Sequence, residues 1–117
     1  MDFHKALEDS VSKFKSLEGI IFVDPDGEMI IYEAPNLGTF EVRLSGAKMP
    51  ILLRGFEELD GAALPHYMEL DCENRYFIHV RLDQQYSLTA MGRDRREKLL
   101  IRNHLKELAR QFNKEIV

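Results

Sequence analysis

The residues best suited by type to bind a ligand lie in the stretch GIIFVDPDGEMIIY, residues 19–32. Its centre, Asp24-Pro25-Asp26-Gly27, is compatible with a calcium loop, a phosphate-binding loop or a hairpin turn. A calcium loop would continue with further acids and a glutamate at its twelfth position, where this chain has Pro35. A phosphate-binding loop would need more glycines and a helix directly after it. We therefore predict a hairpin turn in which Gly27 supplies a positive φ angle, and no ion site.

The histidines and the single cysteine do not form a recognisable catalytic or metal-binding motif. No two histidines have the spacing of a zinc motif, and we expect each to be a partly exposed surface or interface residue: His4, His66, His79 and His104. His79 lies on the more polar face of a predicted strand, which leaves room for a pH-sensitive contact. Cys72 is flanked by two acids, which disfavour the thiolate that a nucleophile needs. The sequence therefore predicts no catalytic residue, no metal, no cofactor and no enzyme.

The most regular charged pattern is a row of cations near the C-terminus, spaced four residues apart: Lys98, Arg102, Lys106, Arg110 and Lys114. Residues 93–117 hold eight Lys or Arg and four acids, so this part has a net charge of +4 and residues 1–92 have −8, within an overall −4. Nucleic-acid binding would favour a net basic surface with interleaved aromatic side chains, and the row has no such aromatics. Two interpretations stay open, a solvated helix face and a docking surface for acidic protein or membrane headgroups.

Length and composition place the chain among ordinary globular proteins. We expect 117 residues, of which 44% are hydrophobic and 31% charged, to form one domain spanning 1–117. No apolar run is long enough to cross a bilayer, and the first residues lack the apolar core of a secretory signal. One cysteine cannot form an internal disulfide. We expect a cytoplasmic protein without membrane insertion.

The spacing of apolar residues predicts three helices and five strands. Apolar positions that recur every three or four residues predict helices at about 2–16, 40–59 and 93–115. Apolar or alternating segments predict strands at 20–23, 29–32, 64–72, 75–82 and 86–91. The first two strands are apolar on both faces, which is typical of central strands. Short turns between the last three predict antiparallel pairing.

The predicted middle helix, residues 40–59, is apolar on more than one face. Its main stripe consists of Phe40, Leu44, Ala47, Ile51, Leu52, Phe56 and Leu59, whereas Val42, Met49 and Leu53 lie outside that stripe. The stripe keeps its phase through Pro50, so we predict one kinked helix. A helix that is apolar more than halfway round needs cover on two sides. We therefore predict a homodimer or heterodimer interface along this helix, with the edge strand 64–72 paired across it.

The element order, together with the segment LEGIIFVDPDGEMIIYEA, resembles the roadblock/dynein light chain family, whose bacterial members include regulators of Ras-like small GTPases. The resemblance is carried by Gly19 before the first strand, by the D-x-D-G turn at Asp24–Gly27, and by Arg75–Ala90 leading into a helix. Pro50 in the middle helix and the long connection Pro35–Thr39 depart from the family pattern.

The resemblance implies an α+β fold with a five-stranded antiparallel sheet in the order 2-1-5-4-3. The first and last helices would cover one face and the middle helix the other, as in roadblock and profilin-like domains. It also implies dimerisation through the middle helix and the third strand. The residues of this chain that match the implied interface are Arg43, Ala47, Ile51, Arg54, Phe56, Tyr67, Met68 and Leu70.

These observations lead to one functional hypothesis and two alternatives. The chain is predicted to be a non-catalytic dimeric adaptor or regulator that binds a small Ras-like GTPase, with the row of cations as an additional partner-binding face. A small-molecule-sensing domain of similar fold would need a pocket with convergent polar groups. A purely structural dimerisation scaffold would need the interface alone.

Overall fold

The computed structural model describes residues 1–38, 41–42, 52 and 66–116. These residues contain two helices and five strands: α1 (Phe3–Lys13), β1 (Leu17–Val23), β2 (Met29–Glu33), β3 (Tyr67–Asp71), β4 (Tyr76–Arg81), β5 (Ser87–Gly92) and α2 (Lys98–Glu115). Two 3₁₀ turns, Asp83–Gln85 and Arg95–Glu97, precede β5 and α2. Glu41, Val42 and Leu52 are helical, and the rest of the predicted middle helix lies outside the described residues.

The five strands form one antiparallel sheet in the order β2-β1-β5-β4-β3, which confirms the predicted fold class. β1 is paired on both sides, since Ile20 lies opposite Glu33 of β2 and opposite Ala90 of β5. β5 in turn pairs with β4, and β4 with β3. β2 and β3 are therefore the two edge strands of the sheet.

Strand alternation divides the core into two layers, one on each face of the sheet. Ile20 and Phe22 of β1 point toward α1 and α2, where they join a large cluster that includes Leu7, Ile101 and Phe112. Ile21 and Val23 point the other way, into a smaller cluster with Ala34, Val42 and Met91. The two helices thus cover one face, and Val42 belongs to the layer on the opposite face.

Both helices are shorter than their apolar patterns predicted. α1 begins after Asp2, whose side chain accepts a hydrogen bond from the Lys5 backbone N–H at 3.1 Å, and it ends at Lys13 because Phe14 is already extended. α2 begins at Lys98 rather than at residue 93. The residues before it form a 3₁₀ turn capped by Asp94, which accepts from the Arg96 backbone N–H at 2.9 Å.

The β1–β2 connection is a hairpin turn, as predicted. Gly27 has a φ angle of 85°, and its N–H donates to the Asp24 carbonyl at 3.0 Å. The Asp24 carboxylate accepts from the backbone N–H groups of Asp26 and Glu28, both at 2.9 Å. The conspicuous acid of the D-x-D-G motif is therefore used inside the turn.

Gly19, the other glycine of the predicted family pattern, allows two segments to approach closely. A Cβ atom at this position would lie 2.8 Å from the Ala34 Cβ and 3.2 Å from the Glu33 carbonyl oxygen. Any larger residue would force β1 and the end of β2 apart, and glycine avoids this because it has no side chain.

The prediction that residues 29–32 form a central strand is wrong. β2 lies at the edge of the sheet, and Ile30 is 47% exposed. The apolar pattern alone could not distinguish the two positions, because a short apolar run looks the same whether one or both of its edges are paired. The order 2-1-5-4-3 that the resemblance implied does place this strand at the edge.

Candidate interaction surface at the β3 edge

β3 presents two different sets of side chains on its two faces. Tyr67 packs against the cluster beneath α1 and α2, and Glu69 contacts two cations of α2. Met68 and Leu70 alternate with these residues and so point to the opposite face, where their ladder partners are His79 and Phe77. β3 therefore has a charged side fastened to α2 and an apolar side facing the layer that contains Val42.

The charged side of β3 is a network of ion pairs with the first half of α2. Lys98 Nζ lies 3.1 Å from Glu69 Oε2 and 2.9 Å from Asp71 Oδ1. Arg102 pairs with Glu69 through two nitrogens and also donates to the Tyr67 hydroxyl at 3.0 Å. The Tyr67 hydroxyl itself donates to Glu69. Because the Glu69 side chain is only 19% exposed, this network is better shielded from solvent than an ordinary surface pair.

The network shifts the ionisation of its members in consistent directions. Burial alone would raise the pKa of Glu69, but hydrogen bonds from Arg102, Tyr67 and Lys98 outweigh it and lower that pKa to about 2. Burial and the hydrogen bond to Glu69 raise the pKa of the Tyr67 phenol. Glu69 is therefore a stable anion that draws two cations of α2 onto the edge strand.

Part of the row of cations that was predicted to bind a partner is used within the chain itself. Lys98 and Arg102 are neutralised by acids of their own chain, and Arg110 pairs with Glu107. Lys106 Nζ lies 4.6 Å from the centre of the Tyr67 ring. Lys114 is exposed near the end of α2. The first half of the row therefore stabilises the contact between α2 and β3, and a role in partner binding remains a prediction.

The predicted dimer residues fall into two groups. Tyr67, Met68 and Leu70 lie on β3 and are all partly buried. The others lie outside the described residues: Arg43, Ala47, Ile51, Arg54 and Phe56.

Two residues of the middle segment, Val42 and Leu52, differ from the predicted pattern. Val42 was placed outside the core stripe but is fully buried, and Leu52 was placed in that stripe but is 44% exposed. At these two positions the burial is the reverse of what the apolar spacing indicated, and Leu52 is the exposed apolar residue that the structure describes there.

The expectation that His79 is partly exposed is wrong. It is buried on the same face of the sheet as Met91, and its Nδ1 lies 2.7 Å from the hydroxyl of Thr89. Nε2 has no hydrogen-bond partner among the described residues. Burial lowers the pKa of His79 to about 4, so the ring is neutral at physiological pH. It was predicted to be exposed because the same face of its predicted strand carries Arg75 and Arg81.

Cys72 and two open clefts bear on the other functional hypotheses. Cys72 has a free, exposed thiol, and its backbone carbonyl accepts a hydrogen bond from the Arg95 guanidinium. One cleft of about 480 Å³ lies beside it, and one of about 460 Å³ lies between the β4–β5 turn and the end of α2, lined by residues such as Arg81, Gln84 and Asn113. Neither lies between the sheet and the helices, where a sensor of this fold class would enclose its ligand.

Two leucines at the start of α2 are exposed, which was not predicted. Leu99 and Leu100 are 59% and 58% exposed. The sequence did indicate their exposure, because both leucines fall outside the buried stripe formed by Ile101, Leu105 and Leu108. Among the described residues, no helix has the combination of length and apolarity needed to cross a membrane.

Comparison with solved structures shows which fold this chain shares. MglB from Myxococcus xanthus matches with a TM-score of 0.82 at 11% identity, over 99% of this chain and 95% of that protein. A roadblock/LC7 domain from Streptomyces avermitilis gives 0.81 at 10% identity, over 99% and 98%. Profilin II from Acanthamoeba castellanii gives 0.72 at 8% identity, over 99% and 100%.

The chain has the roadblock/LC7 fold, and the resemblance predicted from its sequence is thereby confirmed. A scan against protein-family models finds no match, and a search of curated proteins finds no relative. Because profilin has the same architecture, the fold does not specify a function, which has to be argued from the surface.

Proposed function

We propose that this chain is a dimeric, non-catalytic adaptor or regulator of a small Ras-like GTPase. The observation that carries the proposal is the full-length match to MglB and to a roadblock/LC7 domain, combined with a β3 edge that is unpaired among the described residues and a strand whose apolar face carries Met68 and Leu70. The proposal takes residues 1–117 as one domain that acts in the cytoplasm by binding, without a cofactor.

The support for dimerisation comes from the surface around β3. As an edge strand, β3 has backbone N–H and C=O groups on one side that are not paired within the described sheet. Antiparallel pairing with β3 of a second copy would satisfy these groups and continue the sheet. The exposed Leu52 belongs to the segment predicted to lie at the same interface. A stable interface of standard size buries about 1,600 Å² in total.

The dimer is tested with two interface variants and one matched control. Leu70→Asp and Ile51→Asp each introduce a charge into the proposed interface, and we expect both to sediment as monomers at concentrations where the unaltered chain is a dimer. Ile30→Asp introduces the same charge at the opposite edge strand and should stay dimeric. A monomeric unaltered chain, or dimeric Leu70→Asp and Ile51→Asp variants, would contradict the proposal.

GTPase binding is tested separately. The chain is immobilised and exposed to native cytosol, and the retained proteins are examined for one of about 20 kDa, the size of a one-domain nucleotide-binding protein, that releases guanine nucleotide on denaturation. We expect such a protein with the unaltered chain and with Ile30→Asp, and strongly reduced retention with Leu70→Asp. Retention of no guanine-nucleotide protein by the dimer would leave a structural scaffold as the better interpretation.

The row of cations is tested in the same assay through its outer half. Lys106 contacts the Tyr67 ring of β3, whereas Arg110 pairs with Glu107 of α2 and Lys114 is exposed near the helix end. Reversing the charge of Lys114 should weaken retention if this face docks an acidic partner, whereas unchanged retention would show that Lys114 takes no part in docking.

A further inference from the structure

A cluster of three potential metal ligands lies on the side of the molecule where α1 crosses β2. His4 and Glu8 are one turn apart on α1, and so they share one face of the helix. Glu33 is the last residue of β2. His4 Nδ1 lies 3.2 Å from Glu8 Oε1, and His4 Nε2 lies 3.6 Å from Glu33 Oε2.

We propose that His4, Glu8 and Glu33 form a binding site for a single transition-metal dication of the Zn²⁺ class. One ligand atom from each residue falls in a group whose members all lie within 4.8 Å of one another. Ligands bound to zinc at about 2.0–2.2 Å in tetrahedral geometry are roughly 3.4 Å apart. The widest separation must therefore contract by up to about 1.4 Å. Two half-exposed side chains on α1 can supply this by χ rotations.

The donor set determines the class of ion. One imidazole nitrogen and two carboxylate oxygens suit Zn²⁺, Co²⁺ or Ni²⁺, whereas Mg²⁺ and Ca²⁺ prefer oxygen ligands throughout. The two carboxylates balance the charge of a dication. Three protein ligands leave one position for water.

The site would join two elements that are distant in sequence. Glu33 also lies in the ladder with Ile20, so a metal would connect α1 to the edge of the sheet directly. Binding to the folded state alone stabilises that state by mass action.

The competing explanation is a cluster of ordinary surface ion pairs, in which a protonated His4 attracts both glutamates. This inference does not depend on the proposed GTPase function.

The test is a calorimetric titration with Zn²⁺ at pH 7.5 in a Cys72→Ser background, which removes the exposed thiol as a competing ligand. We expect binding of one Zn²⁺ per chain, weakened at least about tenfold in His4→Gln and in Glu33→Gln. His66→Gln, which alters an exposed histidine outside the cluster, should bind as the background does. Far-UV circular dichroism checks that every variant is folded.

A second measurement distinguishes a defined site from diffuse surface binding. Co²⁺ should give an absorption spectrum of low coordination number that disappears in His4→Gln, and Zn²⁺ should raise the melting temperature of the background but not of that variant. Equal Zn²⁺ affinity in His4→Gln and the background would overturn the proposal. Absence of one-to-one binding would equally overturn it, and would leave ion pairs only.

Discussion

Glu69 shows how a single carboxylate can fix an edge strand to the helix that covers it. Its oxygens accept from Arg102, from Tyr67 and from Lys98, which belong to α2 and to β3 itself. Most exposed ion pairs contribute little to stability, but this one is largely shielded and has several partners. The consequence is that β3 keeps its charged face against α2, so that Met68 and Leu70 must face the other side.

We predict that Glu69→Gln lowers the free energy of unfolding by about 2 kcal/mol at pH 7, because charged hydrogen bonds to Arg102 and Lys98 are lost. Folding lowers the pKa of Glu69 from its ordinary 4.5 to about 2. The stabilisation is therefore complete above the ordinary pKa and is lost as the pH falls from about 4.5 to 2. Urea titrations across this range should show a steeper loss in the unaltered chain than in the variant.

The control for this prediction is Glu107→Gln, which removes an exposed carboxylate paired with Arg110 on α2 itself. It should change stability by less than about 0.5 kcal/mol. If Glu69→Gln and the unaltered chain gave parallel stability curves between pH 4.5 and 2, the network at β3 would not contribute as described.

Individual side-chain environments were the least predictable part of the molecule. The i+4 row on α2 was visible in the sequence, but nothing in the row indicated that Lys98 and Arg102 would meet acids of β3. His79 was assigned to the surface because it shares the more polar face of its strand with Phe77 and Arg81, although it is buried there. Such partners are set by which strands become neighbours, and a local pattern carries no information about that.

At the scale of elements, the β4–β5 turn combines a left-handed backbone with residue types that disfavour it. Gln84 and Gln85, its two central residues, have φ angles of 57° and 67°, and the Tyr86 N–H donates to the Asp83 carbonyl at 3.4 Å. Two successive left-handed residues are the hallmark of type I′ turns, which prefer Asn-Gly. Each side chain held there costs about 1–2 kcal/mol relative to a right-handed conformation.

We predict that Gln84→Asn combined with Gln85→Gly raises the free energy of unfolding by about 1 kcal/mol, because both new residues tolerate the left-handed region. For a chain of this size, that corresponds to a rise in melting temperature of roughly 3–6 °C. Differential scanning calorimetry measures it. Gln84→Ala combined with Gln85→Ala is the control and should not stabilise, so an equal gain in both pairs would show that the backbone conformation is not the cause.

Most elements could be predicted because their apolar spacing is regular. α1, α2, the β1–β2 hairpin and the antiparallel β3–β4–β5 arrangement all followed from periods of 3.6 and 2 and from turn residues. Two errors have a common cause. β2 was given a central position and Val42 and Leu52 were exchanged between core and surface, because period alone does not show how many sides of an apolar segment are covered.

At the scale of the whole molecule, the sheet order makes the two ends of the chain depend on each other. β1 has β5 as one of its two neighbours, and Phe22 packs against Phe112 of α2 with ring centres 5.2 Å apart. The β1–β2 hairpin therefore lacks one ladder and most of its cover when the C-terminal part is missing. An isolated two-stranded hairpin is marginally stable at best.

We predict that a peptide of residues 1–38 and a fragment of residues 39–117 are each unfolded alone and regain structure when mixed. The expected readout is far-UV circular dichroism with a cooperative thermal transition in the mixture and none in either part. A scrambled 1–38 peptide is the control. A cooperative transition in fragment 39–117 alone would show that β3, β4, β5 and α2 form a stable unit without β1.

The pairing of Ile21 with Thr89 also has a consequence for synthesis of the protein. β1 emerges from the ribosome about 70 residues before the strand that lies beside it, an interval of roughly 3–14 seconds at 5–20 residues per second. Throughout that interval Ile20, Ile21, Phe22 and Val23 expose apolar surface on both faces of the nascent hairpin. The yield of this protein in a cell should therefore depend on chaperone occupancy of its first translated segment more than on the stability of the finished domain.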